Sequence, residues 1–121
     1  MALTKASTVI CNDITMTAGA ASVTSADQDL SGAYEATVRV RITNSGALGV
    51  AAQVQIQVSE DTTAGNYMTA QVVKSFDLVS GTVTEMVIPL ADTVQHLRVV
   101  SGSNTSANCV LRVVVDKVTA V

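Results

Sequence analysis

Aromatic side chains are almost missing from this chain: two tyrosines, one phenylalanine and no tryptophan, 2% of the residues. A core built on large rings is therefore excluded, and so is a sugar site of the usual kind, which stacks a pyranose on an aromatic face. Charge is also sparse. Seven Lys and Arg stand against ten Asp and Glu, a net −3 with a pI near 4.8, which argues against general affinity for nucleic acid. There is one histidine, and no G-x-S-x-G nucleophile elbow or Gly-rich phosphate loop ahead of a helix. No apolar run approaches the roughly 20 residues that span a bilayer, and Lys5 interrupts an N-terminus already too polar for the core of a signal peptide. The only two cysteines, Cys11 and Cys109, lack the spacing and companions of a zinc site. In a reducing cytosol they are expected as buried free thiols, although terminal strands that pair could bring them together.

What the chain has in quantity is valine, alanine, threonine and serine, in patterns of period two. Tyr34, Ala36, Val38, Val40 and Ile42 alternate with Glu35, Thr37, Arg39, Arg41 and Thr43. After Asn44-Ser45-Gly46-Ala47-Leu48-Gly49, the run Val50, Ala52, Val54, Ile56 and Val58 alternates with Ala51, Gln53, Gln55 and Gln57. Such alternation makes strands with one buried and one wet face. If the two runs form a hairpin with Arg41 facing Gln53, then Val40 faces Val54 and Val38 faces Ile56. Both faces agree in that register, and the outer one becomes an Arg/Gln/Thr ladder.

Further strands are expected over Thr4–Thr17, in short pieces at Ala21–Thr24 and Gln28–Ser31, and over Tyr67–Leu78, where Met68, Ala70 and Val72 share one parity and Val73 and Lys74 disturb it, as a bulge or a sheet crossing would. Thr82–Leu90 follows with Met86, Ile88 and Leu90 inward. Pro89 cannot donate to a ladder, so that strand is expected at an edge or to end there. Gln95–Val100 and Cys109–Val118 complete the set. About eight short strands at even spacing, without a helix, predict one all-β domain over residues 1–121, an antiparallel β-sandwich or jelly roll. The last strand carries Val110, Val114 and Val118 opposite its core parity, a stripe expected to be covered either by another element of the chain or, the favoured reading, by another subunit.

Chemistry is sparse along this framework. His96 falls on the outward side of its strand with Arg98 and is expected as a solvated histidine, with no nucleophile at hand. Glu60 and Asp61, beside Thr62, Thr63 and Asn66, offer too few carboxylates for a dedicated calcium loop. Asp27 and Asp29 stand isolated. Asn104-Thr105-Ser106 matches the glycosylation sequon, which has no meaning without export. No catalytic residue, metal site or cofactor is expected. The candidate functional residues are those of a contact surface: Arg39, Arg41, Gln53, Gln55, Gln57, Val110, Arg112, Val114 and Val118, with arginine suited to bidentate contacts with an acidic neighbour.

The succession VRVRITNSG, AQVQIQVSEDTTAGNY and HLRVVSGSNTSANCVLRVVV, within residues 34–118, resembles small β-sandwich proteins of tailed-bacteriophage virions. In these a V-x-V strand precedes an S-x-D…N-Y/W turn and an R-V-V strand lies near the C-terminus. The resemblance implies a head decoration, or cement, protein in the virion, assembled in the host cytoplasm. It would be a homo-oligomer, with a trimer favoured, bound to the major capsid protein and contacting neither nucleic acid nor membrane. A tail, neck or head-fibre component is the close alternative. The same order is similar to discoidin-type galactose-binding jelly rolls, but with Tyr67 where Trp is expected and His96 where an aromatic precedes Leu-Arg. That similarity implies a carbohydrate-binding module using Tyr67, Asn66, His96 and nearby acids.

Overall fold

The computed structural model describes residues 2–120. It contains nine strands: β1 (Leu3–Met16), β2 (Val23–Thr24), β3 (Gln28–Asp29), β4 (Ala33–Asn44), β5 (Gln53–Ser59), β6 (Met68–Lys74), β7 (Val83–Pro89), β8 (His96–Gly102) and β9 (Cys109–Ala120). One turn of 3-10 helix, Ala64–Asn66, precedes β6. Two antiparallel sheets result. The first has the order β1-β9-β4-β7 and the second β2-β8-β5-β6, with β3 also on β8. Counting β2 and β3 as one interrupted strand leaves the eight strands of a jelly roll, as the spacing of apolar runs predicts.

Alternation does the work expected of it. Val38, Val40 and Ile42 of β4 pair with Val115, Val113 and Leu111 of β9. In the other sheet Val54 lies beside Val73, and Ile56 beside Val99. All these side chains are buried, and together with Leu97 they fill the space between the sheets. With so few rings available, the core is made of branched aliphatic residues, which suit the pleated surface of a strand.

The expected hairpin between the two central runs does not form. Arg41 lies between Arg112 and Glu85, and Val40 between Val113 and Met86. Gln53 lies between Gly102 and Lys74, and Val54 between Ser101 and Val73. The two runs thus face each other across the core, in different sheets. The link 45–52 is far longer than the two-residue loop of a tight hairpin, and it is anchored as a crossing. Leu48 and Ala52 are buried in it, Leu48 N–H donates to Leu78 O at 2.8 Å, and Gly49 N–H donates to Thr105 O at 3.0 Å. Val50, expected inward, is 52% exposed on this crossing.

The edge expectation holds, and β6 does carry a bulge, though at Ala70 and not at Val73, which pairs regularly with Val54 and is buried. β7, with Pro89, is an edge strand. The β5–β6 register shifts between Ile56, opposite Gln71, and Gln57, opposite Thr69, which leaves Ala70 as the extra residue of a bulge. The last strand corrects an expectation. β9 runs between β1 and β4, so Val114, at 4% exposure, is shielded by neighbours of its own chain, among them Val9 and Arg39. Val110 and Val118, on the same face, stay partly exposed. Cys11 and Cys109 are both buried and free. Register places Cys11 opposite Val113 and Cys109 opposite Met16, so the two are not cross-strand partners.

Candidate functional site

The nine candidate contact residues divide between two opposite faces of the sandwich. Arg39, Arg41, Val110, Arg112, Val114 and Val118 share the outer face of the first sheet, whereas Gln53, Gln55 and Gln57 lie on the second. The division follows from the absent hairpin, since a ladder of arginine against glutamine required β4 and β5 to be neighbours.

On the first sheet, cross-strand register arranges the outer side chains in rows. One row runs Val9, Val114, Arg39, Val87; the adjoining one includes Arg112, Arg41 and Glu85. Arg39 grips Asp116 with two bonds, Nε to Oδ2 at 2.6 Å and Nη2 to Oδ1 at 3.1 Å, and Ser7 Oγ donates to the same carboxylate at 2.5 Å. Arg39, and to a smaller extent Ser7, hold the Asp116 carboxyl below its ordinary range, and the Arg39 guanidinium is raised in turn. Arg112 donates to Asn12 Oδ1 at 2.9 Å, and Arg41 lies 3.8 Å from Asp13. The guanidinium groups are thus steered by short polar neighbours while the side chains of Arg39 and Arg41 stay half exposed. Between them lies a depression of about 120 Å³ lined by Arg39, Arg41, Arg112, Met86, Val87 and Val114. Val87 is 64% exposed at its rim. Cations held beside open apolar surface form a surface suited to a protein partner, where arginine is enriched.

The second sheet carries a network that sequence spacing does not reveal. Asp27, on the link between β2 and β3, accepts from Tyr67 Oη at Oδ1 and meets His96 Nδ1 at 2.8 Å through Oδ2. These partners are 40 and 69 residues away. The Arg98 guanidinium lies 4.0 Å above the Tyr67 ring, a cation–π contact. Its Nε donates to Gln57 Oε1 at 2.8 Å and its Nη2 to Ala64 O at 3.4 Å. Gln57 Nε2 donates to Gln55 Oε1 at 3.2 Å. The bond to Asp27 raises the His96 pKa against the effect of burial, and the same acid pushes the Tyr67 phenol up to about 12. His96 is therefore not the free solvated side chain expected: its side chain is 17% exposed and tied to an acid. The Tyr67 hydroxyl and His96 Nδ1 are already engaged within the chain, and one face of the tyrosine ring is covered by Arg98.

The remaining polar candidates resolve into local structure. Asp61 accepts from Thr63 N–H at 2.9 Å and from the Asn66 amide at 3.1 Å, and these bonds lower its pKa. Its carboxylate folds the loop after β5. Among the described residues, no three His, Cys, Asp or Glu side chains gather in a way that could hold a metal ion. Asn104 of the sequon is buried, with its amide donating to Met16 O and Ala107 O at 2.9 Å each, so its nitrogen is turned away from any transferase.

No protein-family model matches the chain, and no curated protein matches its sequence. Solved structures share its fold. It is similar to the SPBc2 prophage-derived protein YomS, with TM-score 0.55 and 12% identity over 98% of this chain and 96% of that one. A Bacillus endospore appendage protein, from a family of disulfide-linked pili, aligns with TM-score 0.55 and 9% identity over 98% of this chain and 89% of the other. The VP2 subviral particle of infectious bursal disease virus aligns with TM-score 0.54 and 9% identity over 97% of this chain. The chain spans 33% of that capsid protein. At such identities the likeness is one of fold, and the fold is the β-sandwich expected of the virion-type proteins.

Proposed function

We propose that this protein is a non-enzymatic structural component of a tailed-phage virion, a head decoration protein that stabilises the assembled shell by binding the capsid lattice as an oligomer. The observation that carries the reading is the outer face of the first sheet. There Arg39, Arg41 and Arg112 are held beside Val87, which is 64% exposed, and among the described residues no metal-binding cluster lies alongside. A jelly roll shared with a prophage-derived protein and a viral capsid protein is consistent with it. So is the engagement of His96 Nδ1 and the Tyr67 hydroxyl by Asp27 within the chain.

The mechanism is mass action. A protein that binds the expanded lattice but not the precursor shell stabilises the expanded state according to its differential affinity. Arg39 uses two of its donors on Asp116, so planar donors for acidic groups on the shell come chiefly from Arg41 and Arg112.

Co-sedimentation with purified heads of the parent phage, in precursor and expanded form, tests this reading. Wild-type protein is expected to pellet with expanded shells only. Arg39→Ala with Arg41→Ala is expected to lose most of that binding, roughly a hundredfold for two desolvated arginines, while Gln55→Ala with Gln57→Ala retains it. Attachment to tails but not heads, or equal loss from both pairs of substitutions, would overturn the assignment.

A further inference from the structure

Two sheets expose four edges, and three of them are guarded. β7 ends in Pro89 and carries Glu85; β6 has a bulge at Ala70 and a lysine at its end; β2 and β3 are two residues each. Prolines, bulges, charges and short length are the devices by which proteins keep sheet edges from pairing. The fourth edge is β1, which is 14 residues long. Its second half is broken by register shifts after Val9 and after Cys11, and Asp13 has φ of 51°. Its first half, Leu3–Val9, pairs with β9 in unbroken register, contains one charge and no proline, and is exposed at every residue. A seven-residue strand of this kind is longer than the usual five or six and offers a free row of backbone donors and acceptors.

The side chains of this half specify a partner. Leu3, Lys5, Ser7 and Val9 point to the outer face of the first sheet, the face of Asp116 and Val114. Antiparallel addition of a second β1 that continues the sheet keeps outer residues opposite outer residues. Three registers do so near the centre. With Lys5 on the axis, the two lysines collide. With Ser7 on the axis, Lys5 is set against Val9. With Ala6 on the axis, Leu3 faces Val9, Lys5 faces Ser7 and Thr4 faces Thr8. The third register pairs the exposed apolar groups, Leu3 at 61% and Val9 at 43%, extends the Val9–Val114 row, and separates the lysines. It also sets each Lys5 beside the other copy's Ser7, which is bonded to Asp116. Two strand spacings, about 10 Å, separate that lysine from the acid, within reach of its long stem. A groove of about 280 Å³ lies there, walled by Ser7, Asp116, Val118 and Glu35 together with the chain's own Lys5 and Lys117.

We propose that β1 is the self-association site of this protein, pairing antiparallel with β1 of a second copy about a two-fold axis through Ala6 to form one continuous eight-stranded sheet. Such an interface is isologous and closes after two subunits, so it protects the open edge without propagating. It yields a dimer in place of the trimer that the sequence resemblance implies, and it does not depend on the virion reading, because self-association and shell binding are measured separately.

Sedimentation equilibrium and disulfide trapping test it. Ala6→Cys puts two thiols face to face across the axis and is expected to form a covalent dimer under mild oxidation, the native cysteines being buried. Ser7→Cys faces Lys5, leaving its own counterpart on the diagonal and too distant for a disulfide, and is expected to stay uncrosslinked. Leu3→Lys with Val9→Lys is expected to weaken the dimer by at least about tenfold while thermal unfolding at low concentration matches wild type, as suits exposed positions. A wild-type monomer at high concentration, a trimer, or equal cross-linking of both cysteine variants would overturn the proposal.

Discussion

Two buried asparagines show how much one side chain can organise in a sandwich whose core is otherwise aliphatic. Asn44 closes β4: its amide donates to Asp77 O at 2.8 Å and Val79 O at 3.1 Å, and its Oδ1 accepts from Ser75 Oγ at 3.2 Å and, more weakly, from Cys109 Sγ at 3.7 Å. Asn104 uses its amide equally fully, but its buried Oδ1 has no hydrogen-bond partner. Removing a side chain whose every group is satisfied strands several buried partners. Removing one with an orphaned oxygen also lifts a desolvation penalty. Asn44→Ala is therefore expected to cost roughly 2–4 kcal/mol and Asn104→Ala roughly half of that. Urea unfolding of the two variants checks the order, and a larger loss at Asn104 would contradict it.

At the scale of elements, sequence pattern settled which face of β4, β5 and β9 is buried, misread β6, where Val73 rather than Met68 enters the core, and left open which strand lies beside which. The alternation in β4 and β5 reads correctly at Val38, Val40, Val54 and Ile56, yet the same parity is satisfied by neighbours in one sheet or by partners across a core. Only the length of the 45–52 link and buried Leu48 distinguish the two. Local exceptions were unequal guides: Pro89 marked an edge, whereas Val73, read as a break, is a regularly paired core residue and the bulge lies at Ala70. The candidate surface was half legible for the same reason, its arginines and valines being placed together and its glutamines on the wrong sheet. Asp27 was illegible as a hub because its partners come from distant strands, brought together only when β3 docks on β8. One element boundary depends on a single glycine. Gly102 ends β8 with φ of 150°, and a Cβ there would lie 3.1 Å from Ser22 Cα. Gly102→Ala combines backbone strain with a contact to main chain and is expected to destabilise by about 1–3 kcal/mol. Gly65→Ala, with ordinary φ and open space around it, should fall within about 0.5 kcal/mol of wild type. Thermal unfolding of the two variants separates strain from a general intolerance of added methyl groups.

For the whole molecule, the two outer faces carry polar clamps that titrate in opposite directions. On the first sheet, Arg39 and Ser7 lower the Asp116 pKa from 3.8. The stability this confers is present above that unfolded value and is lost as pH falls through the lower folded one. On the second sheet, His96 is raised above 6.5 chiefly by Asp27, with Asp29 and Asp61 adding to the effect. Its contribution is complete below 6.5 and disappears as pH rises through the higher folded value. Tyr67, pushed up to about 12 by the same Asp27 and opposed by Arg98, adds a further loss as pH climbs from 10 toward that value. Stability should therefore be greatest between the two clamps, on the mildly acidic side of neutrality, and both limbs should flatten in high salt because the charges lie near solvent. Urea midpoints measured across this range separate the faces. His96→Gln is expected to abolish the near-neutral decline and leave the acid limb intact. Asp116→Asn is expected to shallow the acid limb and leave the near-neutral decline in place. An unchanged near-neutral slope in His96→Gln would show that Asp27 does not hold the histidine as a proton-linked clamp.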